Sequence, residues 1–280
     1  MMPTRNTTWI ATIALVSVLG CRNARPLPVD PLPVAQAPDP TTDHAVQLAH
    51  MGADAVLWQH ASAEYHRIAQ QGYELARLRL AENLRVTDAR PSAVIVDIDE
   101  TVLDNSPYQL EAVAQGKPFD QATWLEWTTK ASAKATPGAL EFLKYADEQG
   151  CIIFYITNRD VRERAATLKN LQDLGFPDAD VDHLLLMEGT SDKTERRARV
   201  ASDHRIVLLV GDQLRDFDER FKDRTVDHGR PLVDTMTDTL SRYFVLLPNP
   251  MYGTYRDAVQ GKGTDAEKLA RMKAWFEQGH

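Results

Sequence analysis

The chain has 280 residues, a length that fits one large domain or one domain that carries a smaller inserted one. Hydrophobic residues make up 43% and charged residues 26%, which is enough apolar side chain for a packed core and excludes a fibrous or disordered protein. A net charge of −8 argues against nucleic-acid binding through a broad basic surface, because neutralising phosphates needs clustered Lys and Arg. Two cysteines also argue against a disulfide scaffold.

The N-terminal residues are typical of a targeting signal. An apolar run from Trp9 to Leu19 follows Arg5, and it is shorter than the roughly 20 residues that span a membrane. The segment that ends at Cys21 resembles a bacterial lipobox, although Leu19 stands where a small residue is usual. We therefore predict a signal peptide over residues 1–20 and lipidation of Cys21, with simple secretion as the alternative.

Both alternatives take the protein out of the cytoplasm, and lipidation would place it in the cell envelope. Arg22, rather than Asp, follows the cysteine, and this resembles the address of an outer-membrane lipoprotein that faces the periplasm or the cell surface. Residues 21–41 are rich in proline, which removes amide donors and favours an extended chain. We expect this lipidated segment to be a tether between membrane and domain.

Residues 42–87 are predicted to be the N-terminal helices of a smaller helical domain. Their apolar side chains recur every three or four residues, as on one face of a helix. Trp58 and Tyr65 follow that spacing, which favours a place in the core over a place in a pocket. The histidines of this segment lack the spacing of a zinc site.

Residues 88–250 alternate strand and helix, with a helical insertion at about 105–136, and residues 251–280 form a loop and a C-terminal helix. The apolar runs that predict strands are Ala93 to Val96, Cys151 to Ile156, Ile206 to Val210 and Tyr243 to Leu247. Capping signals frame a helix from Val161 to Leu174 and another from Thr264. Buried strands separated by amphipathic helices predict an α/β fold with a parallel sheet covered on both faces.

Polar side chains follow the ends of the strands, where open parallel sheets bind ligands. These candidate residues, in chain order, are Asp97, Asp99, Thr157, Asn158, Lys193, Asp212 and Asp216. If the strand continues, Asp97 and Asp99 point the same way, and a hard cation such as Mg²⁺ relieves their repulsion. The set predicts a site for a metal and a phosphate, with one carboxylate placed to attack phosphorus.

The spacing of residues excludes several other motifs that bind phosphate or metal. A calcium loop that begins at Asp97 needs Gly and Glu where Val102 and Tyr108 stand. Neither cysteine is followed by the arginine of a Cys-x5-Arg phosphate loop. The sequence also has no GxSxG, Walker or GxGxxG motif.

Two segments, Asp97 to Tyr108 and Val207 to Phe217, resemble the signatures of class C, or DDDD-type, acid phosphatases, which are bacterial members of the haloacid dehalogenase superfamily. The resemblance extends from about Trp58 to Asn249. It implies a Rossmann-like haloacid dehalogenase core with a parallel sheet plus a smaller helical domain, Mg²⁺ as cofactor, and allows a homodimer. Gln213 departs from the pattern, since the family usually has Asn or Thr there.

By the same resemblance, Asp97 is the nucleophile that forms a phosphoaspartyl intermediate and also binds the metal. Asp99 gives its carbonyl oxygen to the metal, while its side chain protonates the leaving alcohol and then activates water. Asp212 is the third metal ligand, and Asp216 acts behind the ligands or caps the following helix. Thr157, Asn158 and Lys193 bind phosphate, whereas Arg159 pairs with the helix that follows it.

Aromatic side chains suggest the substrate. By resemblance, Trp124 and Tyr252 form a slot that stacks a nucleobase or nicotinamide ring, whereas Trp127 belongs to the core. The protein is predicted to be a membrane-anchored, Mg²⁺-dependent acid phosphatase that hydrolyses phosphomonoesters, chiefly 5′-nucleotides. The alternatives are a broad phosphatase for aryl phosphates, sugar phosphates or phosphotyrosine, and a surface binding lipoprotein without turnover.

Overall fold

The fold is built around a five-stranded parallel sheet with the strand order β5-β4-β1-β6-β7. A computed structural model describes residues 43–279, so the predicted signal peptide, Cys21 and the tether lie outside the described residues. The strands are β1 Ser92–Val96, β2 Leu103–Asp104, β3 Lys134–Ala135, β4 Ile152–Asp160, β5 Leu184–Met187, β6 Arg205–Gly211 and β7 Phe244–Leu246. Strands β2 and β3 form a separate antiparallel pair.

The helices surround this sheet. They are α1 His44–His50, α2 Ala53–Ala61, α3 Ala63–Asn83, α4 Ser106–Ala114, α5 Gln121–Thr129, α6 Ala139–Glu148, α7 Arg164–Leu174, α8 Thr194–Asp203, α9 Leu214–Phe217, α10 Arg230–Thr235, α11 Thr237–Tyr243, α12 Thr254–Gln260 and α13 Asp265–Glu277. Across residues 43–279, no helix combines the length and the apolarity that a membrane span requires.

Both faces of the sheet are buried, as the apolar strands predict. Val94 and Val96 of the central strand pack into one hydrophobic core, while Ala93 and Ile95 pack into a second core on the opposite face. This division follows from the strand period, since successive side chains point to opposite sides. The α/β class with a covered parallel sheet is therefore confirmed.

The sheet differs from the sequence prediction in two places. Strand β4 does not end at Ile156 but continues to Asp160, where it pairs with Met187 of β5 after a register irregularity. Strand β5 itself was not predicted, because Leu184–Met187 is a single four-residue apolar run without flanking strand signals. Its neighbour β4 provides the pairing that makes it a strand.

The predicted caps are present. Asp160 and Glu163 form a reciprocal capping box that leads into α7, and Gly175 ends that helix with a φ of 77°. A second capping box joins Thr264 to Glu267 at the start of α13. These local signals fix helix ends because the N-terminal caps satisfy backbone N–H groups that the helix leaves unpaired, while glycine adopts the left-handed conformation that ends a helix.

Helix α3 packs against α6, β6 and β7 through small and aromatic side chains. Ala69, Tyr73, Ala76 and Leu80 are buried along one face of this helix. Tyr65 is also buried, and its ring meets Trp58 edge to face with centroids 5.8 Å apart. The helical spacing of these residues therefore builds core, as predicted.

Leu80→Ala should destabilise the protein by about 2–5 kcal/mol, because Leu80 is fully buried and its loss leaves a cavity beneath the sheet. Leu78→Ala on the same helix is the control, since Leu78 is 64% exposed and its removal should cost less than about 0.5 kcal/mol. Urea unfolding of both variants measures the difference. Equal losses would show that α3 does not pack in this way.

Candidate active site

The carboxyl ends of the central strands bring two aspartates together. Asp97 directly follows β1, and its N–H donates to the carbonyl oxygen of Val210 on β6 at 3.0 Å. Asp212 directly follows β6 and therefore lies at the same edge of the sheet. Carboxylate oxygens of Asp97, Asp212 and Asp216 all lie within 4.8 Å of one another. The cluster thus contains Asp97 and Asp212 of the predicted metal ligands together with Asp216, while the side chain of Asp99 lies outside it.

Lys193 supplies the positive charge of this cluster. It precedes α8, and its Nζ donates to Oδ1 of Asp97 and, at 2.6 Å, to Oδ1 of Asp216. Burial alone would lower the pKa of Lys193, but the charges of Asp216 and Asp97 outweigh it and raise the pKa above its ordinary value. The ammonium group therefore stays charged although only 4% of the residue is exposed.

Negative charge remains in excess, since three carboxylates face one ammonium group. Burial raises the pKa of Asp97 well above its ordinary value, despite the opposing charge of Lys193. Burial, followed by the charge of Asp216, raises the pKa of Asp212 to about 7. A buried cluster of oxygen donors whose three carboxylates, once ionised, outnumber its single ammonium group fits a hard divalent cation.

The second predicted acid, Asp99, lies beside this cluster in an ion pair. Nε and Nη2 of Arg159 donate to Oδ1 of Asp99 at 3.0 and 2.8 Å, while Oγ1 of Thr157 lies 3.4 Å from Oδ2. Arg159 also donates through Nη1 to Thr167 on α7, at 3.1 Å. The expectation that Arg159 pairs with the following helix thus captures only one of its contacts.

The predicted phosphate-binding residues lie at the end of β4 and are held by an arginine. Arg196 on α8 donates to the carbonyl oxygen of Thr157 at 2.5 Å and to Oδ1 of Asn158 at 2.7 Å. Thr157 is fully buried and Asn158 is exposed. Sequence reasoning missed Arg196 because an arginine on an amphipathic helix carries no signal of a site.

Two side chains hold Asp212 from the other side. Gln213 Nε2 and Asn249 Nδ2 donate to Oδ2 of Asp212 at 3.0 and 2.7 Å. Gln213 also donates to the carbonyl oxygen of Tyr252 at 3.3 Å and accepts from the N–H of Thr254. The residue that departs from the family pattern therefore links Asp212 to the loop that carries Tyr252.

Asp216 combines two roles. Its Oδ2 accepts the N–H of Gln213 at 2.9 Å as part of a capping box on α9. Its Oδ1 pairs with Lys193, and the carboxylate belongs to the acidic cluster. Asp216 therefore caps α9, which is one of its two predicted roles, while its carboxylate lies within the acidic cluster.

Glu100 lies within the Asp97 to Tyr108 signature segment, although sequence reasoning did not name it as a site residue. It is fully buried and adopts a φ of 60°, an uncommon conformation for a residue with a side chain. Oε1 accepts the N–H of Asn105 at 2.8 Å, and Oε2 accepts the hydroxyl of Tyr252. Burial raises the pKa of Glu100 well above its ordinary value. Glu100 thus anchors Tyr252 beside the acids.

A cavity of about 570 Å³ opens over these groups. It is lined by Asp97, Asp99, Asn158, Lys193 and Asp212 and also by Phe119, Trp124 and Tyr252. Trp124 is 8% exposed and meets Tyr108 edge to face at 5.2 Å, whereas Phe119 is 61% exposed. Phe119 therefore offers the larger free aromatic surface, although sequence reasoning placed only Trp124 and Tyr252 in the slot.

Comparison with known proteins agrees with this geometry. Residues 29–255 match the family model of the HAD superfamily, subfamily IIIB (acid phosphatase). The class C acid phosphatase from Bacillus anthracis superposes with a TM-score of 0.77 at 36% identity, covering 81% of this chain and 97% of that one. Its tungstate-bound crystal structure matches with the same TM-score and coverage at 35% identity.

A plant protein is also similar. Acid phosphatase 1 from Solanum lycopersicum is 28% identical over 198 residues, which is 68% of each chain. The family match covers more than half of the chain, and the Bacillus anthracis protein is matched over nearly its whole length. The chain therefore belongs to the class C acid phosphatases of HAD subfamily IIIB and is a phosphomonoester hydrolase.

Proposed function

We propose that the protein hydrolyses phosphomonoesters in a Mg²⁺-dependent reaction that passes through a phosphoaspartyl intermediate on Asp97. The observation that carries this proposal is the buried cluster of Asp97, Asp212 and Asp216 with Lys193, next to the ion pair of Asp99 and Arg159. The tungstate-bound relative supports it, since tungstate is a tetrahedral oxyanion like phosphate.

In the first half of the reaction, a carboxylate oxygen of Asp97 forms a bond to phosphorus while the bond to the leaving oxygen breaks. Asp99 gives its proton to that leaving oxygen, so the product departs as a neutral alcohol. In the second half, Asp99 takes a proton from water, which attacks phosphorus and releases phosphate from Asp97. Lys193, Thr157 and Asn158 hold the phosphoryl oxygens throughout.

Mg²⁺ would be held by the carboxylates of Asp97 and Asp212 and the carbonyl oxygen of Asp99. When bound, it supplies positive charge that neutralises the phosphoryl oxygens and the surrounding carboxylates. The chain contributes preformed donors, because Gln213 and Asn249 already orient Asp212. Asp216 and Lys193 complete the charge balance around the nucleophile.

We propose 5′-nucleotides as the preferred substrates. The cavity of about 570 Å³ lies within the usual range for small-molecule sites and carries aromatic side chains beside the acids. Phe119 exposes a ring face, Trp124 packs against Phe119 at 6.2 Å, and Tyr252 is fixed by Glu100. A base could therefore stack here while its phosphate reaches Asp97, releasing a nucleoside.

We also propose that the enzyme works in the cell envelope as an outer-membrane lipoprotein. The support is the sequence alone: an apolar N-terminal run that ends at Leu19, two residues before Cys21, and a proline-rich segment that follows the cysteine. An acid phosphatase in this place would release nucleosides and phosphate outside the cytoplasm. Labelling with a radioactive fatty acid should mark the wild-type protein and not Cys21→Ser; equal labelling would contradict lipidation at this cysteine.

Asp97→Asn should lower turnover of 5′-nucleotides by at least about 10³-fold, because the amide cannot act as the nucleophile. Phosphate release from purified residues 22–280, at about pH 5 to 7 with and without Mg²⁺, measures this loss. Asp173→Asn is the matched control, since Asp173 is exposed and pairs with Lys169 on the surface. Retained activity in Asp97→Asn would contradict the phosphoaspartyl route.

In a chelator, the free energy of unfolding should fall as pH rises from about 4 to about 7. The folded-state pKa of Asp212 is raised to about 7, against ~3.9 in an unfolded chain, so in this window the folded protein keeps a proton that unfolding releases. The contribution is at most about 1.4 kcal/mol per pH unit.

Urea unfolding of wild type and Asp212→Asn at several pH values isolates this contribution as the difference between the two slopes. The Asn variant should show the shallower decline because it cannot titrate at this position. Added Mg²⁺ should stabilise wild type near pH 7 and have less effect on the variant. Parallel slopes together with equal Mg²⁺ effects would contradict a metal site at Asp212.

Phe119→Ala should raise KM for a 5′-nucleotide about 5-fold or more, since stacking on a base contributes about 1–3 kcal/mol. KM for glycerol 2-phosphate, which has no ring, should stay the same. Phe276→Ala is the control, because Phe276 is 59% exposed on α13 and does not line the cavity. An equal effect on both substrates would count against an aromatic slot at Phe119.

A further inference from the structure

Trp127 packs against the hydrophobic core, as predicted, and its indole N–H also makes a directional hydrogen bond. It lies on α5, three residues after Trp124, and its Nε1 donates to Oδ1 of Asn105 at 2.8 Å. The indole N–H is a donor only, so it can face an acceptor but never another N–H group. The bond therefore fixes which end of the Asn105 amide faces α5.

The other end of that amide faces the active site. Nδ2 of Asn105 donates to Oδ1 of Asp99 at 2.9 Å. The backbone N–H of Asn105 binds Glu100, so both main chain and side chain of this buried residue are held. An amide that turned over would place its N–H₂ against the indole N–H and its oxygen against a carboxylate. Oε2 of Glu100 and the carbonyl oxygen of Leu103 also accept from Nδ2, each at 3.5 Å. Trp127 acts with these acceptors to specify the donor that Asp99 meets.

The two carboxylate oxygens of Asp99 have different hydrogen-bond donors. Oδ1 accepts from Asn105 and from Nε and Nη2 of Arg159, within 2.8 to 3.0 Å. Among the described residues, Oδ2 is approached by Oγ1 of Thr157 alone, at the longer distance of 3.4 Å. The side chain is consequently pinned through one oxygen, while the other stays available in the cavity that Asp99 lines.

Helix α5 contacts two of the residues that hydrogen bond to Asp99. Trp127 acts through Asn105, and Trp124 lies under the guanidinium of Arg159, with its ring centroid 5.9 Å from Cζ. Residues three apart on a helix share a face, so both indoles project from the same side of α5. The inserted helix that carries part of the aromatic wall is therefore also connected to the predicted acid.

We propose that Trp127 and Asn105 are positioning residues that hold the Asp99 carboxyl group with Oδ2 directed at the leaving oxygen of the substrate. This inference rests on the proposed function, in which Asp99 protonates the leaving alcohol. Proton transfer requires heavy atoms within about 2.6–3.2 Å, so a small rotation of Asp99 weakens it without affecting the attack by Asp97.

Leaving groups separate this role from a structural one. A nucleoside leaves as a basic alkoxide unless it is protonated, whereas 4-nitrophenolate is a stable anion that needs little help. Loss of positioning should therefore lower kcat/KM selectively for nucleotides, since the later activation of water by Asp99 does not enter kcat/KM. Loss of folded structure should slow both substrates alike.

The test compares kcat/KM for a 5′-nucleotide and for 4-nitrophenyl phosphate, because this parameter covers the step in which the leaving group departs. Trp127→Phe keeps a ring in place and removes the N–H. We expect kcat/KM for the nucleotide, divided by kcat/KM for 4-nitrophenyl phosphate, to fall about tenfold or more in this variant. The loss should lie in kcat rather than in KM. Trp58→Phe, which removes an indole N–H elsewhere, should leave the ratio unchanged.

An unchanged ratio in a folded Trp127→Phe, whether the activity is high or low, would overturn the proposal. If that variant does not fold, Asn105→Ser is assayed in its place and should shift the ratio in the same direction. A wild-type enzyme that hydrolyses neither substrate would instead refute the proposed function. Failure of the positioning role and failure of the phosphatase assignment thus give different results.

Discussion

The burial of like charges is the constraint on which this active site depends. Asp97, Asp212 and Asp216 approach one another within 4.8 Å at buried or half-buried positions, and among the described residues Lys193 donates hydrogen bonds to two of them. Such an arrangement is costly in free energy, since burial penalises each charge and the carboxylates repel one another. A surplus of negative charge makes the site receptive to a divalent cation and, with it, to a phosphate group.

The packed parallel sheet holds these acids together in spite of that free-energy cost. Strands β1 and β6 are neighbours with both faces covered, so the residues that follow them are brought together whatever their charge. Gln213, Asn249 and the capping box at Asp216 then hold individual carboxylates by hydrogen bonds. Packing of the hydrophobic core thus offsets the unfavourable free energy of the clustered acids at the edge of the sheet. This is typical of sites preorganised for charge stabilisation.

The segment between β1 and β4 connects the wall of the cavity to the residues that hold Asp99. Helix α5 contributes Trp124 to the cavity wall, and its two tryptophans contact the residues that surround Asp99. Gln213 gives a comparable link on the other side, between Asp212 and the Tyr252 loop.

The sequence alone determined the α/β class, most strands, the helix caps and the acidic residues, because apolar periodicity and local capping act over a few residues. It could not determine β5, whose four residues become a strand only by pairing with β4. Nor could it determine that Arg159 binds Asp99, that Arg196 holds Thr157, or that Phe119 exposes its ring. Those contacts join residues about 40 to 60 positions apart, or depend on which face is covered, and only tertiary packing decides either.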